Sequence, residues 1–160
     1  GRERAGRVAI GLGYARLAAL DFGGALAAAD RAADGGARLG VPIGKLRRAA
    51  ESARTDWAVV QRAPLDAHVV RARFAASVGR TVEAQREWEI AAGDVRVPLE
   101  NRVNAIRYLA IDGSLAGAER AAAACPECGS LGDAAAFVVE CRARVKPVLD
   151  LQSRIAALAR

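Results

Sequence analysis

The sequence predicts an all-helical protein, on the basis of its composition and its regularly spaced turn signals. Alanine supplies most of the 52% hydrophobic share, whereas aromatic residues make up only 4% of the chain. Alanine is the best helix former, and the β-branched and aromatic residues that favour strands are sparse. Gly, Pro and Asp recur at intervals typical of short connections between helices. At 160 residues, the chain is long enough for one well-buried domain.

Turn residues divide the chain into about nine predicted helices. These span 5–20, 22–34, 43–62, 65–78, 81–93, 98–112, 114–125, 132–144 and 147–159. Glycine directly after a periodic segment, as at Gly79 and Gly113, is typical of a helix C-cap. Candidate N-caps are Thr81, Ser114 and Asp133, while Pro98 and Pro147 suit a first helical turn. Because the connections are short, neighbouring helices are predicted to run antiparallel.

Three segments repeat one pattern, in which a tight turn precedes small residues on one face of a helix. The small residues that open each helix are Ala25, Ala84 and Ala118, and two turns later come Ala32, Ala91 and Cys125. Small side chains allow two helices to cross closely, so each is predicted to be the second helix of a stacked pair. Ala84 and Ala118 are 34 residues apart, but Ala25 and Ala84 are 59 apart. An irregular repeat is therefore predicted around 43–62.

These segments resemble tetratricopeptide repeats, in which a first helix with Leu-Gly and Tyr positions precedes a helix with this small-residue pattern. The matching positions are Ala9, Leu12, Gly13, Ala25, Ala29 and Ala32; His68, Arg71, Ala72, Ala75, Ala84, Trp88 and Ala91; and Arg102, Ala105, Ile106, Leu109, Ala118, Ala122 and Cys125. Arg16 departs from the family at the first Tyr position. The resemblance implies one domain over 1–160, a right-handed superhelical α-solenoid of antiparallel helix pairs. Its repeats are placed at about 5–36, 43–62 (irregular), 65–94 and 98–128, with capping helices in 131–160.

The resemblance also implies that first helices line a concave groove in which a peptide lies. Transferring the groove positions gives Tyr14, then Asp66 and Arg73, then Glu100, Asn104 and Arg107. In the last two repeats an acid precedes an arginine by seven residues, two turns along one helix face. Such charges suit an extended peptide, and they equally suit a solvated surface with weak ion pairs. The Lys and Asn clamp of chaperone-binding members is not reproduced, since only Asn104 fits it.

The cysteines leave several chemistries open. A zinc site needs about four Cys or His ligands, and the motif Cys125-Pro126-Glu127-Cys128 supplies two of them. Cys141 and His68 do not complete a convincing set of four ligands. A redox site is disfavoured because the motif follows a helix C-terminus, where the dipole opposes a thiolate. A structural disulfide joins either Cys125 and Cys128 or, as we expect, Cys128 and Cys141, which would pin the loop to the capping helix. Alternatively, Cys125 and Cys141 are buried small hydrophobic residues.

No catalytic motif is recognised in the sequence. It contains no phosphate-binding glycine loop, and no Ser or Asp forms a motif with His68. Trp57 and Trp88 are expected in the core. If Trp57 were exposed instead, it would be a candidate binding hot spot. We therefore predict a non-enzymatic scaffold or adaptor that binds a protein or peptide in the groove, with no metal and no cofactor.

The net charge of +6 raises an alternative function, an arginine-rich regulatory domain that binds nucleic acid or a ligand. Acids interspersed among the arginines argue against nucleic-acid binding. A metal or redox module at the cysteines is a further alternative. The Arg and Ala bias is typical of GC-rich bacterial genomes, and no apolar stretch is long enough to span a bilayer. The compartment is left open, cytoplasmic or exported if the cysteines are oxidised, and the chain is expected to be trimmed or part of a larger one.

Overall fold

The computed structural model describes residues 1–64, 66–131, 136–144 and 146, and it is all-helical. The α-helices are α1 (Arg2–Ala18), α2 (Phe22–Ala33), α3 (Gly40–Arg62), α4 (His68–Ser77), α5 (Thr81–Gly93), α6 (Leu99–Ile111), α7 (Leu115–Ala123) and α8 (136–144). Short 3₁₀ turns occupy Ala37–Leu39 and Pro126–Leu131. No strand occurs within the described ranges. The predicted helix 147–159, Asp133 and Pro147 lie outside the described residues.

Three helix ends share one backbone geometry, which explains the repeated turn pattern. Leu20, Gly79 and Gly113 have φ angles of 63°, 81° and 87°. The following amides donate back into the preceding helix, from Asp21 to Arg16 O (2.9 Å), from Arg80 to Ala75 O (2.8 Å) and from Ser114 to Leu109 O (2.8 Å). This is the hydrogen bonding of a Schellman C-cap, and glycine enters its left-handed conformation without steric cost. The C-caps predicted at Gly79 and Gly113 are confirmed.

The helix N-termini differ in part from the predicted caps. Thr81 is the first residue of α5, not the residue before it. Ser114 occupies the N-cap position of α7, but its side chain makes no capping hydrogen bond. Pro98 is the N-cap of α6, one position before the predicted first turn. Asp21 does cap α2, because its carboxylate accepts a 2.8 Å hydrogen bond from the amide of Gly24.

The chain divides into two compact units, Gly1–Ala84 and Gln85–Arg160. The division falls within α5, directly after the buried Ala84. Each unit has its own buried side chains, and the two are described separately below. The single repeat domain over 1–160 stays a prediction.

In the first unit, α2 packs antiparallel to α1, and α3 lies beside α1 in the parallel sense. Gly6, near the start of α1, lies against Ala32, near the end of α2. Leu39 lies against Gly6 and Leu46 lies against Gly13, so both contacts join residues 33 apart. A Cβ atom at Gly6 or Gly13 would collide with the δ-methyl groups of these leucines. The absence of a side chain at these positions therefore permits the close packing of α1 and α3.

Helix α4 turns back along α3 after Pro64. The Trp57 ring packs against the Phe74 ring, with centroids 5.1 Å apart, and Nη2 of Arg71 donates to Pro64 O at 3.3 Å. These contacts set α4 antiparallel to the C-terminal half of α3. Trp57 is half-buried and packs against the core, so the expectation that it belongs to the core is met in part. The buried core of this unit comprises Leu17, Ala25, Ala29, Ala32, Leu39, Ile43, Leu46, Ala50, Ala53, Val60, Phe74 and Val78.

In the second unit, α5 and α6 form an antiparallel pair. Nε2 of Gln85 donates to Asp112 O at 2.7 Å, at one end of the pair. Trp88 stacks on Tyr108 in the middle, with ring centroids 4.8 Å apart and planes 15° apart. Trp88 is fully buried, which confirms the prediction that it belongs to the core. The small residues Ala91 and Ala118 are also fully buried, as their spacing predicted.

Asp112, at the C-terminal end of α6, gives a prediction for stability. Burial raises the pKa of its carboxyl group, and its Oδ2 atom is buried without a hydrogen bond in the described part of the chain. A raised carboxyl pKa means that ionisation opposes folding, so stability is lost as the pH rises through the folded pKa. We expect Asp112→Asn to raise the free energy of unfolding by about 0.5–1 kcal/mol at pH 7.

The measurement is urea denaturation of both proteins across a range of pH. The advantage of Asp112→Asn should shrink as the pH falls below the ordinary carboxyl value of 3.8, where the wild-type group is protonated in both states. An advantage that is equal at pH 3 and pH 7 would contradict the assignment to charge burial.

Candidate functional site

An open groove runs between the C-terminal half of α3 and α4, within the first unit. It has a volume of about 370 Å³. Its lining residues come from both helices and are Asp56, Val59, Val60, Val70, Arg73, Phe74 and Ser77. The antiparallel return of α4 along α3 brings these two sets of side chains together.

Apolar side chains form the floor and the rim of the groove. Val60 and Phe74 are buried at its base. Val59 is 58% exposed and Val70 is 38% exposed, so the rim presents aliphatic surface to solvent. Aliphatic surface at the edge of a concave site is released from water when a ligand side chain packs against it.

Three polar side chains surround this apolar surface. Arg73 is exposed and makes no hydrogen bond or ion pair with the described residues. Asp56 accepts a 3.2 Å hydrogen bond from Ser52, and the hydroxyl group of Ser77 donates to Phe74 O at 2.8 Å. The guanidinium group is therefore the group in the groove that is available to bind a carboxylate in two parallel hydrogen bonds.

The excess positive charge of the protein lies in the first unit, which contains this groove. Residues 1–84 contain 14 Lys and Arg against 8 Asp and Glu, a net charge of +6. Residues 85–160 contain 10 of each, a net charge of zero. The first unit therefore attracts acidic ligands over distances of about one Debye length.

The structure places the predicted groove residues of the first unit in different surroundings. Arg73 lines the groove between α3 and α4. Tyr14 is 43% exposed on α1 and is not part of that groove. Asp66 lies in the turn before α4, which begins at His68, and it has an interaction partner of its own. The prediction that Asp66 and Arg73 share a helix face was wrong, because the helix begins three residues later than the predicted 65–78.

The remaining predicted groove residues lie on α6, in the second unit. Glu100 is exposed, whereas Asn104 and Arg107 are half-buried. Glu100 and Arg107 both lie within the helix, as their seven-residue spacing requires. Arg107 already has an interaction partner. Of Arg73 and Arg107, the two arginines predicted to face a ligand, Arg73 is thus the one that makes no hydrogen bond or ion pair with the described residues.

The sequence did not indicate the aliphatic side of the groove. Val59 and Val60 are adjacent on α3, two and three residues after Trp57. Only Val60 is buried, because successive residues of a helix point about 100° apart. The spacing of Asp56 and Val59 at i and i+3, before the turn at Pro64, was the available signal that these residues share a face.

Of the two disulfide pairings that the sequence left open, the structure contains the one that was not preferred. Cys125 and Cys128 are joined by a disulfide bond, with Cα atoms 5.3 Å apart, and Cys141 on α8 is free and half-buried. The 3₁₀ turn that begins at Pro126 folds the chain back within three residues, and the Cys128 amide donates to Cys125 O at 2.9 Å. This local turn brings the neighbouring cysteine within bonding distance, so the predicted Cys128–Cys141 pairing was wrong.

No cluster of three potential metal ligands occurs among the described residues. In that part of the chain, too, no helix combines the length and the apolar composition needed to cross a bilayer. No protein-family model, curated protein or solved structure matches the sequence or the fold of this chain. Its function is therefore inferred from its own residues.

Proposed function

We propose that this chain is a protein-interaction domain that binds an acidic peptide bearing apolar side chains in the groove between α3 and α4. The observation that carries this proposal is the combination of exposed valines with an unengaged arginine in one concave site of about 370 Å³. A cavity of this size accommodates a few side chains of a larger ligand.

The chemistry of the groove favours a peptide over a nucleic acid. An apolar side chain of the ligand packs between Val59 and Val70, while a neighbouring carboxylate pairs with Arg73. Nucleic-acid sites instead combine several phosphate contacts with exposed aromatic rings for base stacking. The one tryptophan near the groove, Trp57, is half-buried and packed against Phe74.

The packing of the first unit supports a tetratricopeptide-like solenoid as its architecture. In such a solenoid, each helix pair stacks on the next, so that alternate helices lie side by side. Helices α1 and α3 are parallel, and the contacts of α1 with Leu39, just before α3, and with Leu46, within α3, share an offset of 33 residues, close to the family period of 34. We propose that α1, α2 and α3 begin such an array.

Reversing the charge of Arg73 is expected to abolish most of the affinity. Arg73→Glu replaces a favourable ion pair with repulsion, at a cost of about 2 kcal/mol, or roughly thirtyfold in Kd. The measurement is fluorescence anisotropy with labelled peptides of about ten residues, in which Leu or Val alternates with Asp or Glu. A matched set with Lys in place of the acids should not bind.

The controls separate groove binding from general charge attraction. Arg48→Glu changes the net charge equally, on the exposed face of α3 and outside the groove, and should leave the Kd nearly unchanged. Val59→Ser should weaken binding, whereas Val41→Ser, at an exposed valine near the start of α3, should not. Equal losses for Arg73→Glu and Arg48→Glu would reject the groove, and tighter binding of a single-stranded oligonucleotide would favour the nucleic-acid alternative.

A further inference from the structure

Arg102, on α6, is the one charged residue that is buried among the described residues, with 5% of its surface exposed. Its Nε atom donates to Ala92 O at 3.0 Å. This carbonyl group belongs to the last turn of α5, where helical carbonyls lack partners within the helix. A guanidinium group at this point also interacts favourably with the negative end of the helix dipole. Arg102 thus joins α6 to the C-terminus of α5.

The counter-charge of Arg102 is Glu127, and the disulfide encloses that residue. Nη1 of Arg102 lies 2.7 Å from Oε1 of Glu127, whose side chain is 49% exposed. Glu127 stands between Cys125 and Cys128, both of which are 1% exposed. A hydrogen bond from its own backbone amide, and then the bond from Arg102, lower the pKa of Glu127. The carboxylate therefore stays charged at neutral pH.

The disulfide restricts the backbone that carries Glu127. It closes a ring across three residue steps, and the hydrogen bond from Cys128 N to Cys125 O lies inside that ring. With the ring closed, Glu127 has few backbone conformations to lose on pairing with Arg102. With the ring open, the backbone of the turn has more conformations, and pairing Glu127 with Arg102 costs the entropy of restricting them.

We propose that the Cys125–Cys128 disulfide is a redox-sensitive latch that holds Glu127 on Arg102, and so holds the turn after α7 to the end of α5. Because both cysteines are buried, a dithiol reductant reaches the S–S bond when the turn opens locally, and it then cleaves the bond by thiol–disulfide exchange. The S–S bond gains two electrons and two protons and yields two thiols, while the reductant becomes a disulfide. Glu127 then leaves Arg102, whose buried guanidinium group loses its counter-charge.

The direct test follows the Arg102 Nε–H group of the full chain by ¹⁵N NMR, before and after dithiothreitol treatment. In the oxidised protein this proton should be protected, because it is buried and bonded to Ala92 O. Reduction should speed its exchange with solvent about tenfold or more, because the departure of Glu127 from Nη1 uncovers the guanidinium group. The double variant Cys125→Ala/Cys128→Ala should give the same fast exchange without reductant. Unchanged protection after complete reduction would overturn the latch, as would a disulfide that resists excess dithiothreitol in the folded protein.

A second measurement asks whether the disulfide and the ion pair are coupled. Glu127→Gln should lower the thermal midpoint of the oxidised protein by roughly 5 °C, because it leaves a buried guanidinium group without a counter-charge. In the reduced protein the shift should fall to less than half. Glu89→Gln, the control, breaks the exposed ion pair with Arg120 in the same unit. It should shift the thermal midpoint by the same small amount in both redox states. Equal shifts for Glu127→Gln in the two states would show that the disulfide does not position this carboxylate.

Discussion

Replacing Trp88 by alanine is expected to lower the free energy of unfolding by about 3–5 kcal/mol, the largest effect of any substitution considered for this protein. The indole ring is 1% exposed and stacks on Tyr108, so its removal leaves a large cavity between α5 and α6. The measurement is urea denaturation followed by far-ultraviolet circular dichroism.

Trp88→Phe is the matched control for the loss of Trp88. Phenylalanine keeps an aromatic ring against Tyr108 and removes the indole N–H, which is buried without a partner in the described part of the chain. Because that unpaired donor disfavours the folded state, Trp88→Phe should cost much less than Trp88→Ala. Equal losses for the two variants would show that the stacked ring does not stabilise the second unit.

Replacing Leu46 by alanine is expected to cost about 2–5 kcal/mol. The side chain of Leu46 is fully buried, and it fills the space over Gly13 where α3 crosses α1. Fluorescence of Trp57, in the same unit, reports the transition in urea. Leu12→Ala is the control, because Leu12 on α1 is 45% exposed and should cost less than about 1 kcal/mol.

A size exchange tests whether α1 and α3 meet at these two residues. Gly13→Ala alone gains helix propensity, but its new methyl group collides with the buried Leu46, so a net loss of stability is expected. In the Leu46→Ala protein the same substitution should be stabilising, because the space is empty. The coupling energy of this double-mutant cycle should reach about 1 kcal/mol. Additive effects would contradict the parallel packing of α1 and α3.

Of the residues that line the groove, the sequence predicted only one as part of a binding site. Arg73 was selected by transferring family positions, and the structure places it beside Val59 and Val70. Asp66 was selected by the same transfer and lies in a turn, because α4 begins at His68. The groove exists because α4 folds back along α3, and the sequence contains no local signal for the angle at which two helices pack. Which apolar residues remain exposed depends on that angle.

The positions of the helices and of their ends were determined by the sequence itself. Helix formation and C-capping are local, since each hydrogen bond joins residues three to five apart, and glycines or alanines at fixed spacings are sufficient to specify them. The bounds of α1 to α7 therefore agree with the sequence-based expectation within three residues. The burial of Ala25, Ala84 and Ala118 follows equally from the pattern.

Only the tertiary structure decided which side chains meet. It seated the buried Arg102 between Ala92 and Glu127, and it placed Leu46 over Gly13. Each of these contacts depends on how two faces pack, and many packings bury similar apolar area because the hydrophobic effect has no direction. Steric fit and the pairing of buried charge select among those packings, and both are properties of residues brought together only when the chain folds.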